Sequence, residues 1–158
     1  EGLSKLEASL RSRKPRLRAA FGIELGLPHF MKNDPEALAG YFGELAETPG
    51  AGRKNWVLWT LAFAQMSLRN TGAARANLEK VAASVNDPVL TALTLYLLGS
   101  LGAGDATEAV VREGREKLRK KYSPADWETE IEKAGGNLEV LVMMKLVRNA
   151  GAWLYADG

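Results

Sequence analysis

Residues 55–68 read NWVLWTLAFAQMSL and residues 88–101 read PVLTALTLYLLGSL. Wound at 3.6 residues per turn, both are apolar nearly all round, and a helix without a polar face has to be enclosed by other helices. The segments beside them are different. Residues 73–85 place Ala74, Leu78, Val81, Ala82 and Val85 on one stripe, opposite Arg75, Asn77, Glu79 and Lys80. Residues 105–122 do the same with Val110, Val111, Gly114, Leu118 and Tyr122. One-sided stripes belong to helices that cover a core and face water. Central and flanking helices therefore alternate, as they do in a layered helical stack.

Working outward, Asn33-Asp34-Pro35, Asn86-Asp87-Pro88 and Ser123-Pro124 share one form, a capping residue followed by proline. Asp or Ser accepts from the orphan N–H groups of a first turn, and proline at the first helical position loses nothing by lacking its own. With glycines read as stops, the pattern predicts helices at 3–13, 15–25, 35–47, 55–70, 73–85, 88–101, 105–122, 124–134 and 138–156. Alternating strand-like runs are few. The connections are short, and short links force consecutive helices into antiparallel hairpins. The expected fold is all-α, a single domain of stacked helical hairpins, with a helical bundle as the alternative. Residues 1–52 would hold the N-terminal helices, 53–121 the most repeat-like part, and 122–158 the capping helices, where Leu138, Leu141, Val142, Met144, Leu146, Trp153 and Leu154 form an apolar closing face.

The chain has 158 residues, 46% hydrophobic and 25% charged, which suits one globular domain with a real core. Lys and Arg number 21 against 19 Asp and Glu, a net charge of +2 that is too small for a global field drawing in nucleic acid or anionic membrane. The absence of cysteine removes disulfides, thiolate metal sites and cysteine nucleophiles. The longest uncharged run, the 17 residues 88–104, contains proline and glycine and falls short of the roughly 20 apolar residues of a spanning helix. It reads as a buried core helix, so a soluble protein is expected. The chain opens Glu1-Gly2-Leu3 without methionine, as a processed product or excised piece would, which leaves the compartment open between cytoplasm and export.

Gly72 and Gly104, each at a hairpin turn, are 32 residues apart, near the tetratricopeptide period of about 34. Gly104-Asp105-Ala106-Thr107-Glu108-Ala109 resembles that family's turn and the small alanine that lets two helices approach. Thr71-Gly72-Ala73-Ala74-Arg75-Ala76 is a looser copy, and Asn86-Asp87-Pro88 is similar to the family's terminal proline. With Pro88 as the last repeat position, Ala64, Ala76 and Ala83 fall where small residues are expected. Ser67 and Lys80 stand where the family has large apolar residues, and Glu116 where it has a small one. The resemblance covers about residues 53–121, with 15–47 as a degenerate third unit.

That resemblance implies a non-catalytic protein-binding superhelix, an adaptor, scaffold or chaperone-like module. Its concave groove would receive a peptide or helix of a partner protein on the first helix of each pair. The groove positions it implies are Leu58, Leu61, Gln65, Leu68 and Arg69 on one helix and Thr91, Thr94 and Leu98 on the next. Trp56 and Trp59 share the most apolar helix at i, i+3, where Trp59 either packs in the core or anchors at the groove mouth. Trp153 and Tyr155 are placed to cap the core or to meet another subunit of a homo-oligomer.

Catalytic and cofactor chemistry finds little purchase. His29, the single histidine, lies in the loop-like Gly26-Leu27-Pro28-His29-Phe30-Met31 without ligand or acid–base partners nearby in sequence. Glu44 and Glu47, and Glu128, Glu130 and Glu132 near Trp127, are the acids available to an alternative reading, a small glutamate-dependent enzyme acting on cell wall or sugar. They read more simply as solvated helix faces. No strand leads into a glycine-rich phosphate loop, so neither nucleotide nor another small-molecule cofactor is expected. Two basic clusters remain: Arg11, Arg13, Lys14, Arg16 and Arg18 around Pro15, and Arg112, Arg115, Lys117, Arg119, Lys120 and Lys121. The second suits a helix C-terminus and is interrupted by Glu113 and Glu116. The first carries a third reading, a basic module for RNA or anionic surfaces.

Overall fold

The computed structural model describes residues 22–102, 105–126, 129 and 154–155. The protein is all-α. Its described helices are α1 (Gly22–Met31), α2 (Pro35–Ala46), α3 (Lys54–Ser67), α4 (Thr71–Ser84), α5 (Pro88–Ser100) and α6 (Asp105–Lys121). The chain divides into two compact units, residues 1–77 and 78–158, and α4 carries the chain from one into the next. Within the first, α1 packs on α2 and α2 on α3; within the second, α5 packs on α6.

The expected starts form as their chemistry requires. Asp34 accepts from the Ala37 amide at 3.0 Å ahead of Pro35. Asp87 accepts from the Val89 amide at 2.9 Å ahead of Pro88. At the third start, Ser123 and Asp126 cap each other. The Ser123 amide donates to Asp126 Oδ2 at 2.7 Å and the Asp126 amide to Ser123 Oγ at 3.4 Å, the reciprocal form of a capping box.

The stops differ from the expected glycines. Helix α1 ends with Asn33 in the left-handed region, φ 51°, and α3 ends with Arg69 there, φ 60°. At α3 the Arg69 amide donates to the Met66 carbonyl at 2.9 Å and the Asn70 amide to the Gln65 carbonyl at 2.8 Å. This is the Schellman pairing, with arginine at the position glycine usually takes. Gly72 lies inside α4. Among the described helix ends, α5 has a glycine next to it in that conformation, Gly102 at φ 57°.

Helix α1 also corrects the N-terminal boundaries. The expected helix end at Leu25 is passed, and the segment read as a loop, with His29 in it, is helical to Met31. Pro28 lies inside this helix and withholds one amide from the carbonyl of Glu24. Packing compensates for the break. Ile23 joins Leu38, Tyr41, Phe42, Leu45, Val57, Leu61 and Ala64 in one buried cluster, with Leu25, Phe30 and Trp56 against it. Gly26 permits the close crossing: a Cβ there would lie 2.5 Å from Phe42 Cε2. The buried Tyr41 hydroxyl donates to the Gly22 carbonyl at 2.7 Å.

The two apolar helices are enclosed, as expected. Residues 57–62 and Ala64 of α3 are buried, and so are Leu90, Ala92, Leu93, Thr94, Leu95, Leu97 and Leu98 of α5. On α4 the buried residues Ala74, Leu78 and Val81 follow the expected stripe. Ala76, Lys80 and Ala83 are exposed, and so is Ala109 on α6. Those alanines therefore do not make the close helix contacts that the tetratricopeptide register assigns to them. On α6 the tight approach is at Gly114, where a Cβ would lie 2.6 Å from Leu95 Cδ1. Val110, expected on the inner stripe of α6, is 52% exposed, while Leu118 is buried.

Candidate functional site

The expected groove residues separate by depth. Thr94 and Leu98 are fully buried, Leu61 belongs to the core cluster of the first unit, and Leu58 is buried beside it on α3. The Thr94 hydroxyl returns to its own helix, donating to the Leu90 carbonyl at 2.7 Å. Half-buried Thr91 does likewise to the Asp87 carbonyl at 2.7 Å. A threonine that back-bonds into its own turn has spent its donor. Three residues of the set reach the surface together at the C-terminal end of α3: half-buried Gln65, Leu68 at 38% exposure, and exposed Arg69.

The fold brings these three together in a definite way. Gln65 and Leu68 are one turn apart, so they share a face. The Schellman pairing folds Arg69 and Asn70 back over that turn, tying the Asn70 amide to the Gln65 carbonyl. Asn70 also opens α4, accepting from the Ala73 amide at 3.5 Å. One turn and a half into α4, Asn77 donates from Nδ2 to Gln65 Oε1 at 3.0 Å. This amide pair was not legible in the sequence: Asn77 reads there only as a polar residue opposite the stripe.

Other candidates fall elsewhere. His29 is half-buried near the end of α1, its ring centroid 5.4 Å from that of Tyr41. Trp59 is fully buried, stacked on Phe63 at 5.7 Å, and Phe63 stacks in turn on Phe30 at 5.7 Å. This sets Trp59 in the core. Its indole N–H has no hydrogen-bond partner among the described residues. Glu44 and Glu47 are exposed on and just beyond α2. Among the described residues, no three His, Asp or Glu side chains gather where they would hold a metal ion. The N-terminal cluster Arg11, Arg13, Lys14, Arg16 and Arg18 lies outside the described residues, as do Trp127, Glu128, Glu130, Glu132 and Trp153.

The basic cluster of α6 is partly structural. Arg115 and Arg119 both donate through Nε to the Leu154 carbonyl, at 3.1 and 2.5 Å. The Tyr155 hydroxyl donates to the Tyr122 carbonyl at 2.6 Å, satisfying an acceptor at the end of α6. Lys117 pairs with Glu113 at 2.6 Å, and this hydrogen bond and charge hold the Glu113 carboxyl below its ordinary pKa. Among the described residues, no helix is long and apolar enough to cross a membrane.

An "Uncharacterized protein" of Treponema pallidum (strain Nichols) is 24% identical to this chain, the match covering 98% of the chain and 53% of the relative. The chain thus spans about half the length of the curated relative it matches. No solved structure matches it. The family model described as Uncharacterised Treponema protein matches residues 2–156, nearly the whole chain, and the protein belongs to that family.

Proposed function

We propose that the chain is a non-catalytic protein–protein interaction module, an adaptor, scaffold or chaperone-like unit, that receives a peptide or helix of a partner at the C-terminal end of α3. On this reading the helical hairpins form a short superhelix of tetratricopeptide-like kind. Of the expected groove residues, Gln65, Leu68 and Arg69 make the contact, all of them on the first unit. The observation that carries the reading is Leu68. It and Val110 are the large exposed hydrophobics of the described chain, and Leu68 stands between an amide and a cation that the same turn presents. An exposed apolar side chain with polar neighbours matches the apolar centre and polar rim of an interface.

The test is affinity capture on the full chain from extract of the source organism, comparing wild type with the triple variant Gln65→Ala/Leu68→Ala/Arg69→Glu. The captured protein is then purified and its binding to both chains measured directly. A purified partner that binds wild type and loses at least tenfold in affinity for the triple variant supports the module. Equal binding to both chains, or no partner that survives purification, removes this face from the function.

A further inference from the structure

The three described helices of the first unit are not held alike. Of the eight buried residues in their described cluster, Leu38, Tyr41, Phe42 and Leu45 come from α2, Val57, Leu61 and Ala64 from α3, and Ile23 from α1. Without α1, seven of the eight still pack on one another, so the α2–α3 hairpin has a core of its own. Its start is independent as well, because Asp34 caps α2 with its own side chain ahead of Pro35.

Helix α1 lacks that independence. Gly22, Gly26 and Pro28 are three of its ten residues, of the two types that favour a helix least, and Pro28 withholds an amide from the Glu24 carbonyl. A short segment of this composition is helical only against a surface that holds it. Gly22 and Gly26 set its backbone against Leu45, Tyr41 and Phe42 of α2. Glu24 and Phe30 reach Arg53 and Phe63 of α3.

Closing this contact leaves two groups worse off. Glu24 gives Oε1 to the Arg53 guanidinium, but its Oε2 is buried without a hydrogen-bond partner, and an orphaned buried acceptor forfeits its hydration. Arg53 holds a left-handed backbone, φ 51° and ψ 45°, at the N-cap of α3, with no capping bond from its side chain. Its carbonyl accepts from the Trp56 and Val57 amides at 2.9 and 3.2 Å, bonds that the extended backbone usual at an N-cap provides equally. The helix it starts does not require the left-handed form, which accompanies the reach to Glu24. Both penalties end when α1 lifts. The turn that would carry the motion is Asn33-Asp34, exposed at both residues, with Asn33 at φ 51°. Asparagine visits the left-handed region more readily than other residues with a Cβ.

The geometry points to a strap: α1 leaves the α2–α3 hairpin as one unit, turning at Asn33, while α2 and α3 stay folded, and in leaving uncovers Tyr41, Phe42 and Leu45 on α2 and Phe63 on α3. This device is independent of the contact proposed at the end of α3.

Native-state hydrogen exchange on the full chain, followed by NMR across low urea concentrations, tests the strap. Opening of α1 alone exposes little surface. Its amides are therefore expected to share one opening constant, at least tenfold larger than that of the α3 amides and only weakly raised by urea, while α3 follows the steep urea dependence of global unfolding. Leu58→Ala supplies the second arm. Leu58 is buried on α3 outside the cluster that Ile23 joins, so its loss weakens the hairpin equally with α1 docked or undocked. Exchange at least tenfold faster in α3 and unchanged in α1 is expected. The strap is overturned by wild-type α1 amides that carry the urea dependence of α3, by α1 amides that fray one by one without urea dependence, or by α1 exchange that speeds up with α3 in Leu58→Ala. The wild-type urea series decides the question even where Leu58→Ala does not fold.

Discussion

Gly26 lies so close beneath Phe42 that a methyl group on it would sit 2.5 Å from the ring carbon Cε2. The crossing of α1 and α2 is set by this missing side chain, in a cluster where Phe42 and Leu45 are each 1% exposed. Gly26→Ala adds a helix-favouring residue, worth up to about 1 kcal/mol, and forces a buried ring to move. Overpacking of a filled core costs about 1–3 kcal/mol, so the clash wins. The expected outcome is a net destabilisation of about 1 kcal/mol in urea denaturation. A neutral or stabilised variant means that the two helices are not packed at this distance.

The left-handed arginine at the end of α3 predicts a change of opposite sign. Arg69→Gly keeps both Schellman hydrogen bonds, since they involve only backbone, and removes the Cβ strain. A gain of about 1 kcal/mol is expected from denaturant midpoints. Arg53→Gly removes similar strain but also the ion pair with Glu24, a partly exposed contact at 47% and 38% side-chain exposure that contributes a few tenths to about 1 kcal/mol. Its net effect is therefore smaller than that of Arg69→Gly, and comparing the two variants by thermal melting checks the order.

Capping was the most legible part of the sequence. Asp34 and Asp87 announce α2 and α5, and each side chain accepts the amide bond its position requires. Replacing either with alanine is expected to cost about 1 kcal/mol, measured singly by chemical denaturation. Replacement with serine, which can accept the same bond, restores most of it.

What the sequence hid has equally physical causes. A helix through Gly26 and Pro28 contradicts local propensity, and only the close packing on Tyr41 and Phe42 makes it stable. The stop at Arg69 carries no glycine signal because backbone-to-backbone bonds close the turn whatever the side chain. The repeat register failed on α4 because spacing from Pro88 placed Ala76 and Ala83 inward, whereas the amphipathic stripe of Ala74, Leu78 and Val81 decides which face is buried. Of the residues at the end of α3, Gln65, Leu68 and Arg69 were singled out through the resemblance as proposed contacts. Asn77 was missed, because its partnership with Gln65 joins two helices across 12 residues of chain.

The Ser123–Asp126 box makes a pH prediction. Hydrogen bonds from the Ser123 amide and hydroxyl stabilise the ionised carboxylate and hold Asp126 below the ordinary aspartate value of 3.8. A depressed folded-state pKa contributes stability that is present above the unfolded value and is lost as pH falls through the folded one. The cap is thus intact at neutral pH and weakens only as the pH drops below 3.8. A carbon-detected NMR titration of the Asp126 carboxyl is expected to show a midpoint below that value, and Ser123→Ala to return it toward 3.8.

Within the second unit, two arginines one turn apart on α6 share one acceptor. Arg115 and Arg119 both donate to the carbonyl of Leu154, whose side chain is fully buried. Hydrogen bonds to charged donors contribute about 1.5–3 kcal/mol each when counted alone. Two guanidinium groups on one oxygen also repel each other, and either one keeps the carbonyl satisfied when the other is gone. The single variants Arg115→Ala and Arg119→Ala are therefore expected to cost less than half as much as the double variant. A double-mutant cycle then returns a coupling of about 0.5–1 kcal/mol. Leu154→Ala, which empties the site these bonds hold in place, is expected to cost about 2–5 kcal/mol. Additive arginine effects in urea denaturation would show that the two side chains stabilise the unit through contacts other than their common acceptor.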